Sequence, residues 1–407
     1  MSTPFCPRPG SDAVVWSSDD SVSINYRIPS LVLAPSGDLL AFCEARFNKG
    51  LHGADTGRIA IVSKRSRDEG RTWEGEQTVW EDGDNTCGNP CCVVDRSAGR
   101  VLLFACHNLG EDTEAEIING TSKGTRTVWV LTSDDSGASW AAPREITSMV
   151  KESEWTWYAT GPGVGIRVER GEYAGRIVVP CCHHSAGKDR YLYQSHVFFS
   201  DDGGKTFELG GSVAEKTNEC QVVELENGRL LLNMRQMFMC PPWNRRQALS
   251  ADGGRTWLDE RMVPELIEPL SGCMASITRL RWAGQRAFDE DQTSASSEGQ
   301  EKGVLLFSNP ACRLHRFNAT LKMSRDDGRT WPRCLDLPLG FPISGYSCLQ
   351  VLPSGAVVCL LEWSPSASGI FLLGYSLVCT RIDADALENS CQCVPACCCC
   401  ACGPCRC

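Results

Sequence analysis

Arg27 stands in the run Tyr26-Arg27-Ile28-Pro29-Ser30, directly ahead of the apolar stretch Leu31-Val32-Leu33. A guanidinium there is a planar, permanently charged fork whose N–H groups match the two oxygens of a carboxylate. The plainer reading is a surface arginine before a proline-stiffened turn. Arg235 closes the strand-like run Leu231-Leu232-Asn233-Met234-Arg235, and Arg316 follows Cys312-Arg313-Leu314-His315. Carboxylates stand at Asp55 in Ala54-Asp55-Thr56-Gly57, at Glu219 in Asn218-Glu219-Cys220-Gln221, and at Glu362 in Leu361-Glu362-Trp363, the last not read as a reacting group. Asp55 also reads as a turn residue beside glycine, and Glu219 as a charge at a strand end. Tyr346, in Ser344-Gly345-Tyr346-Ser347, offers a phenol. With an ordinary pKa of about 10, a phenol attacks carbon at neutral pH only if a carboxylate shares its proton. The histidines form no metal pattern, since adjacent His183 and His184 diverge on a strand.

The elements that must hold these residues are announced by a repeat. The pattern Ser-x-Asp-x-Gly-x-(Thr/Ser)-(Trp/Phe) begins at Ser66, Ser133, Ser200, Ser250 and Ser324. Serine and aspartate bond their own backbone to form a turn, glycine supplies a positive φ, and the closing aromatic pins the turn to a sheet. Strand-like runs such as Ile59 to Val62, Val128 to Leu131 and His196 to Phe199 precede the copies, so each copy reads as a hairpin turn. These hydroxyls and carboxylates are therefore turn staples, not reacting groups. The repeat is the Asp-box of the sialidase superfamily and a few other β-propellers, and the chain resembles that superfamily up to about residue 382. The starts are 67, 67, 50 and 74 residues apart (133−66, 200−133, 250−200, 324−250), enough for one four-stranded sheet each. The expected fold is all-β, a six-bladed β-propeller of four-stranded antiparallel sheets spanning 1–385.

The resemblance extends to the chemistry-bearing segments, and implies an exo-α-sialidase. Tyr26-Arg27-Ile28-Pro29 is similar to the family's (Phe/Tyr)-Arg-Ile-Pro signature. Arg27, Arg235 and Arg316 then match the three arginines that hold the sialic acid carboxylate, with Arg313 a rival for the third place. Tyr346 resembles the family's tyrosine nucleophile, Glu219 the base that shares its proton, and Asp55 the acid/base, whose pKa should rise in the substrate complex. Arg46 resembles an arginine beside the acid, and Glu362 the glutamate that orients Arg27. Asn89, Glu116 and Tyr158 match weaker positions lining the pocket. Tyr191 and Tyr193 read equally as glycerol-tail contacts or as sheet aromatics. The implied reaction is retaining hydrolysis of terminal α-linked sialic acids from oligosaccharides, glycoproteins or glycolipids, ganglioside sugars included. It implies no cofactor and no metal. A catalytically silent glycan-binding propeller and a trans-sialidase are the alternatives.

Bulk properties narrow the partners. The net charge of −10 argues against nucleic acid or an anionic membrane surface. An anionic substrate thus needs a local basic pocket. No signal peptide or membrane-spanning run is evident, so a cytoplasmic monomer is expected. Nine of the 25 cysteines fall between Cys391 and Cys407. The expectation is a disordered Cys-rich tail over 386–407, with thiolate metal binding or S-acylation to a membrane as alternatives. The other cysteines, such as Cys43 and Cys359, lie in apolar runs and read as small hydrophobes. The acidic segment 286–302 reads as a solvated insertion.

Overall fold

The computed structural model describes residues 12–18, 24–47, 54–237, 241–280, 304–337, 343–364 and 375–383, with 386 and 391–392. Strands dominate, and most pair antiparallel with their neighbours in sequence. Asn25–Leu33, Leu39–Arg46, Ile59–Ser66 and Gln77–Trp80 form one such meander. Thr86–Asp95, Arg100–Asn108, Thr127–Ser133 and Arg144–Glu145 form the next. Trp155–Thr160, Ile177–Ser185, Tyr193–Ser200 and Glu208–Ser212 follow, then Thr217–Glu224, Leu230–Gln236, Asn244–Ser250 and Leu258–Ile267. Ser276–Leu280, Val304–Pro310, Ala319–Ser324 and Arg333–Asp336 come next. In the last, Ile343–Val351, Val357–Ser364 and Ser376–Ile382 are completed by the N-terminal Asp12–Trp16.

The arrangement is a propeller: leading strands of neighbouring meanders lie against one another, except that Thr217–Glu224 lies against Ile177–Ser185 and Tyr193–Ser200, and Ile343–Val351 returns to Asn25–Leu33. The expectation of six separate four-stranded sheets needs correction. Among the described residues, hydrogen bonding groups the strands into five sheets, because Ile59 and Thr86 form a parallel bridge that joins the first two meanders, and Gly163–Val164, parallel to Thr86–Asp95, makes that sheet nine-stranded. Box spacing marks the hairpins but carries no information about such lateral bridges. Of the Cys-rich tail, Cys391–Gln392 pairs with Arg333 and Cys334, so an unstructured tail is not the description of those two residues. The rest of the tail after residue 392, and the 286–302 segment, lie outside the described residues.

The core lies between sheets, and strand alternation explains why the strands read as continuous apolar runs. Leu31 and Leu33 point into a cluster shared with Leu360 and Cys379, while Val32 points into one shared with Phe104's neighbours Leu103 and Ala105. On the next strand Leu39, Ala41 and Cys43 take the first side and Leu40 and Phe42 the second. Burial on both faces removes the polar half of the usual period-two pattern. Each such fully buried Leu or Phe contributes about 1.5–3 kcal/mol.

The boxes share one hydrogen-bond pattern. In the second, Ser133 Oγ donates to Asp135 Oδ1 at 2.8 Å and accepts from Gly137 N–H at 2.7 Å. Ser139 then donates to Asp135 through its N–H at 2.9 Å and its hydroxyl at 2.5 Å. Gly137 has φ 82°, and a Cβ there would lie 2.6 Å from Leu40 Cδ1 on the preceding meander. The box thus docks one meander on another. Gly137→Ala should destabilise the fold by about 1–3 kcal/mol, read as a lowered urea midpoint.

These turns also predict how the fold meets acid. The Ser139 hydroxyl, then the Ser139 N–H and Ser133, hold Asp135 at a pKa of about 2. In the other four boxes partial burial works upward, and similar hydrogen bonds outweigh it. A depressed carboxyl stabilises fully above its unfolded value of about 4 and loses that contribution as pH falls through the folded value. Each box is solvent-screened, so the effect is collective. The melting temperature should fall between pH 4 and about 2, and Asp135→Asn should flatten part of that fall.

Candidate active site

Three guanidiniums and one phenol meet at the mouth ringed by the leading strands. The register of Asn25–Leu33 shifts between Arg27 and Ser30, and Ile28 takes φ 65°. That irregularity sends Arg27 toward Glu362 on Val357–Ser364. Arg27 Nε and Nη2 donate to Glu362 Oε1 and Oε2 at 2.9 and 3.0 Å. The Ile28 and Tyr346 N–H groups donate to the same carboxylate at 2.9 and 3.0 Å. Glu362 is wholly buried. Burial pushes its pKa up, but Arg27 and these hydrogen bonds hold it below the usual range. Gly345 is required here, since a Cβ would fall 2.1 Å from Glu362 Oε2.

Arg235 comes from Leu230–Gln236 and Glu219 from the strand beside it, where the register shifts between Thr217 and Cys220. Arg235 Nη1 donates to Glu219 Oε2 at 2.5 Å and to Tyr346 Oη at 2.9 Å. Arg316 donates through Nε and Nη2 to the Gly272 carbonyl at 3.3 and 3.1 Å. The guanidinium carbons of Arg27 and Arg316 lie 5.3 and 5.4 Å from the Tyr346 ring centroid. Arg313 is exposed and donates to Pro242 O, so Arg316 is the arginine that joins the cluster.

Tyr346 Oη donates to Glu219 Oε1 at 2.5 Å. Burial raises the phenol's pKa well above its ordinary value and Glu219 adds to this, against Arg235, Arg316 and Arg27. The resting group is therefore a neutral phenol whose proton is hydrogen-bonded to the Glu219 carboxylate.

Asp55 stands on the pocket wall with 61% of its side chain exposed, and Arg46 Nη1 reaches its Oδ1 at 2.6 Å. Loss of solvent raises the Asp55 pKa, but Arg46, then Arg27 and Arg126, outweigh it and leave it below the ordinary value. The free protein thus shows the opposite direction to the rise expected in a substrate complex. Arg46 is itself buried and is held by Glu44, with Arg46 Nε donating to Glu44 Oε2 at 2.7 Å. Asn89, as expected, lines the cavity; its N–H donates to Glu44 Oε1 at 2.6 Å.

Two expected pocket residues lie elsewhere. Tyr158 is fully buried in the core, its hydroxyl bonded to His196 Nε2 at 3.0 Å. Strand alternation puts its neighbour Trp157 on the cavity instead. Glu116 caps the helix Glu114–Asn119, accepting from the Thr113 N–H at 2.9 Å and hydroxyl at 2.7 Å. Glu114 lines the cavity in its place and accepts from the Tyr193 hydroxyl. Tyr191 also lines it, 37% exposed.

Sequence reasoning missed Glu44, Glu114, Arg126 and Tyr375. Arg126 stacks on Trp157, 4.0 Å from the ring centroid, and donates to Asn108 Oδ1 at 2.7 Å and to Asn89 Oδ1. Arg27 lies 5.1 Å from the Tyr375 ring centroid. The Glu44 signal was legible: it stands two residues from Arg46, hence on the same strand face. Arg126 carried none.

The resulting cavity is about 400 Å³. Among the described residues, Arg316 and Arg126 meet only neutral acceptors. Three converging guanidiniums in an acidic chain can bind a carboxylate. A phenol–glutamate pair on one side and an Asp–Arg pair on another can supply a nucleophile and an acid. Fold and site together define an Asp-box propeller whose pocket gathers three guanidiniums around a phenol.

Comparison with known proteins leads to the same place. The BNR repeat-like domain family matches residues 37–359. A sialidase of Micromonospora viridifaciens is 32% identical over 368 residues, 87% of this chain and 53% of that protein. A sialidase of Bacteroides fragilis (strain YCH46) is 30% identical, covering 86% of this chain and 62% of its own. The chain thus spans about half to three-fifths of those bacterial relatives. Among solved structures, the Hadza microbial sialidase Hz136 superposes with a TM-score of 0.75 at 29% identity, covering 92% of this chain and 69% of that one. The chain belongs to the Asp-box (BNR) sialidase superfamily.

Proposed function

We propose that the protein is an exo-α-sialidase, releasing terminal α-linked sialic acid from a glycan with retained configuration. The observation that carries this reading is the 2.5 Å Tyr346–Glu219 hydrogen bond set among Arg27, Arg235 and Arg316. A sugar whose anomeric carbon bears a carboxylate would repel an anionic nucleophile, whereas a neutral phenol approaches it without that cost. The arginines clamp the carboxylate. Tyr346 Oη bonds to the anomeric carbon as its proton passes to Glu219, and the glycosidic oxygen leaves with the bonding electrons and the Asp55 proton. Water, deprotonated by Asp55, then displaces the tyrosine.

The depressed Asp55 pKa fits this sequence when the substrate is counted. A bound carboxylate neutralises part of the guanidinium field, and the aglycone removes water, so both act to protonate Asp55 on binding. Hydrolysis of a fluorogenic sialoside, with the first-formed anomer followed by NMR, tests the proposal. Release of the α-anomer supports it; no release across pH 4–8, or β-anomer first, overturns it.

A further inference from the structure

The proposed reaction leaves one buried carboxylate of the pocket without a part. Glu44 is 3% exposed, and it receives Arg46 Nε at 2.7 Å and Arg46 Nη2 at 2.6 Å on one oxygen. Its other oxygen receives the Asn89 N–H at 2.6 Å. Two sequence features keep room for it. A Cβ on Gly88 would fall 2.6 Å from Glu44 Oε1, and Asn89 takes φ 54° so that its N–H turns toward the carboxylate. Glu44 thereby fixes the rotation of the Arg46 guanidinium and aims Nη1 at Asp55 Oδ1, 2.6 Å away.

We infer that Glu44 is a positioning residue for the proton donor: it acts through Arg46 to place Asp55 and to weaken the hold of Arg46 on the Asp55 carboxylate. The inference rests on the sialidase reading and adds to it a function for a residue that meets the proton donor only through Arg46. A guanidinium shared between two carboxylates grips each less than a guanidinium facing one. Removing the Glu44 charge takes one carboxylate away from Arg46 and tightens its hold on Asp55, which favours the deprotonated Asp55 that cannot donate. Among the described residues, the charged groups facing Asp55 are Arg46, Arg27, Arg126 and Glu114, and they are unchanged in the variant.

The step that should suffer is proton delivery to the leaving oxygen, so the test varies the leaving group. Glu44→Gln is compared with wild type on a sialyl-galactoside, whose alkoxide must be protonated to leave, and on a nitrophenyl sialoside, whose phenolate leaves unaided. The expected loss in kcat/KM is about a hundredfold on the galactoside and at least about tenfold smaller on the nitrophenyl substrate. The alkaline limb of the galactoside pH profile should move to lower pH. Equal losses on both substrates with an unmoved limb overturn the inference, since they mean a general disturbance of the pocket. If Glu44→Gln does not fold, Arg46→Lys carries the test: an ammonium cannot bridge Glu44 and Asp55 in the same geometry, and the same selective loss is expected. Should the wild type cleave neither substrate, the sialidase reading itself fails, which is a distinct outcome.

Discussion

Tyr346→Phe should leave a protein that melts as the wild type does and turns over a fluorogenic sialoside at least about a thousandfold more slowly. The fold should survive because only the hydroxyl is lost. Glu219 keeps Arg235 Nη1 on Oε2, and Arg235 keeps the Ser271 carbonyl at 3.0 Å, so neither partner of the phenol is left alone. The ring stays between Arg27 and Arg316, and its backbone N–H stays on Glu362. Turnover has no such reserve, because the lost hydroxyl is the proposed attacking group and Glu219 is already paired with Arg235. Activity within about tenfold of wild type would remove Tyr346 from the mechanism.

The second large effect is expected at Glu362. Four N–H donors converge on this carboxylate: two of Arg27 and the backbones of Ile28 and Tyr346. In Glu362→Gln the amide NH₂, fully buried, meets donors instead of accepting from them, and Arg27, with 15% of its side chain exposed, loses its counter-charge. Breaking a buried pair from one side costs about 3–5 kcal/mol, so the urea midpoint should drop clearly. Because the same carboxylate seats Arg27 and Tyr346, kcat/KM should fall as well. Unchanged stability together with unchanged KM would mean that Glu362 is dispensable and that Arg27 is held by something else.

The parts of the site legible in the chain are those whose neighbours punctuate them. Arg27 stands two residues before Pro29, Tyr346 follows the glycine that makes room for Glu362, and Glu219 follows Asn218 at a strand irregularity. Parity errors account for the misplacements. In Trp155-Thr156-Trp157-Tyr158 either aromatic could face the cavity, and only the register with His183 and Cys182 decides. Glu114 and Glu116 pose the same choice, though the Thr113-x-x-Glu116 spacing of a capping box already pointed Glu116 to the helix end. Arg126 was illegible because its partners, Asn89, Asn108 and Trp157, come from separate strands. The five boxes gave the propeller, but the Ile59–Thr86 bridge that merges two of its sheets depends on lateral packing.

The circle of sheets is fastened by Asp12–Trp16 lying beside Ser376–Ile382, with Thr380 Oγ1 donating to Asp12 Oδ1 at 2.6 Å. During synthesis the first strand must therefore wait for nearly the last one to leave the ribosome. Arg27 and Glu362, 335 positions apart, are brought face to face by the same closing event. A nascent chain can accordingly build most of its hairpins before Arg27 meets Glu362. The arginine cluster is completed in one late step, when Asp12–Trp16 docks beside Ser376–Ile382.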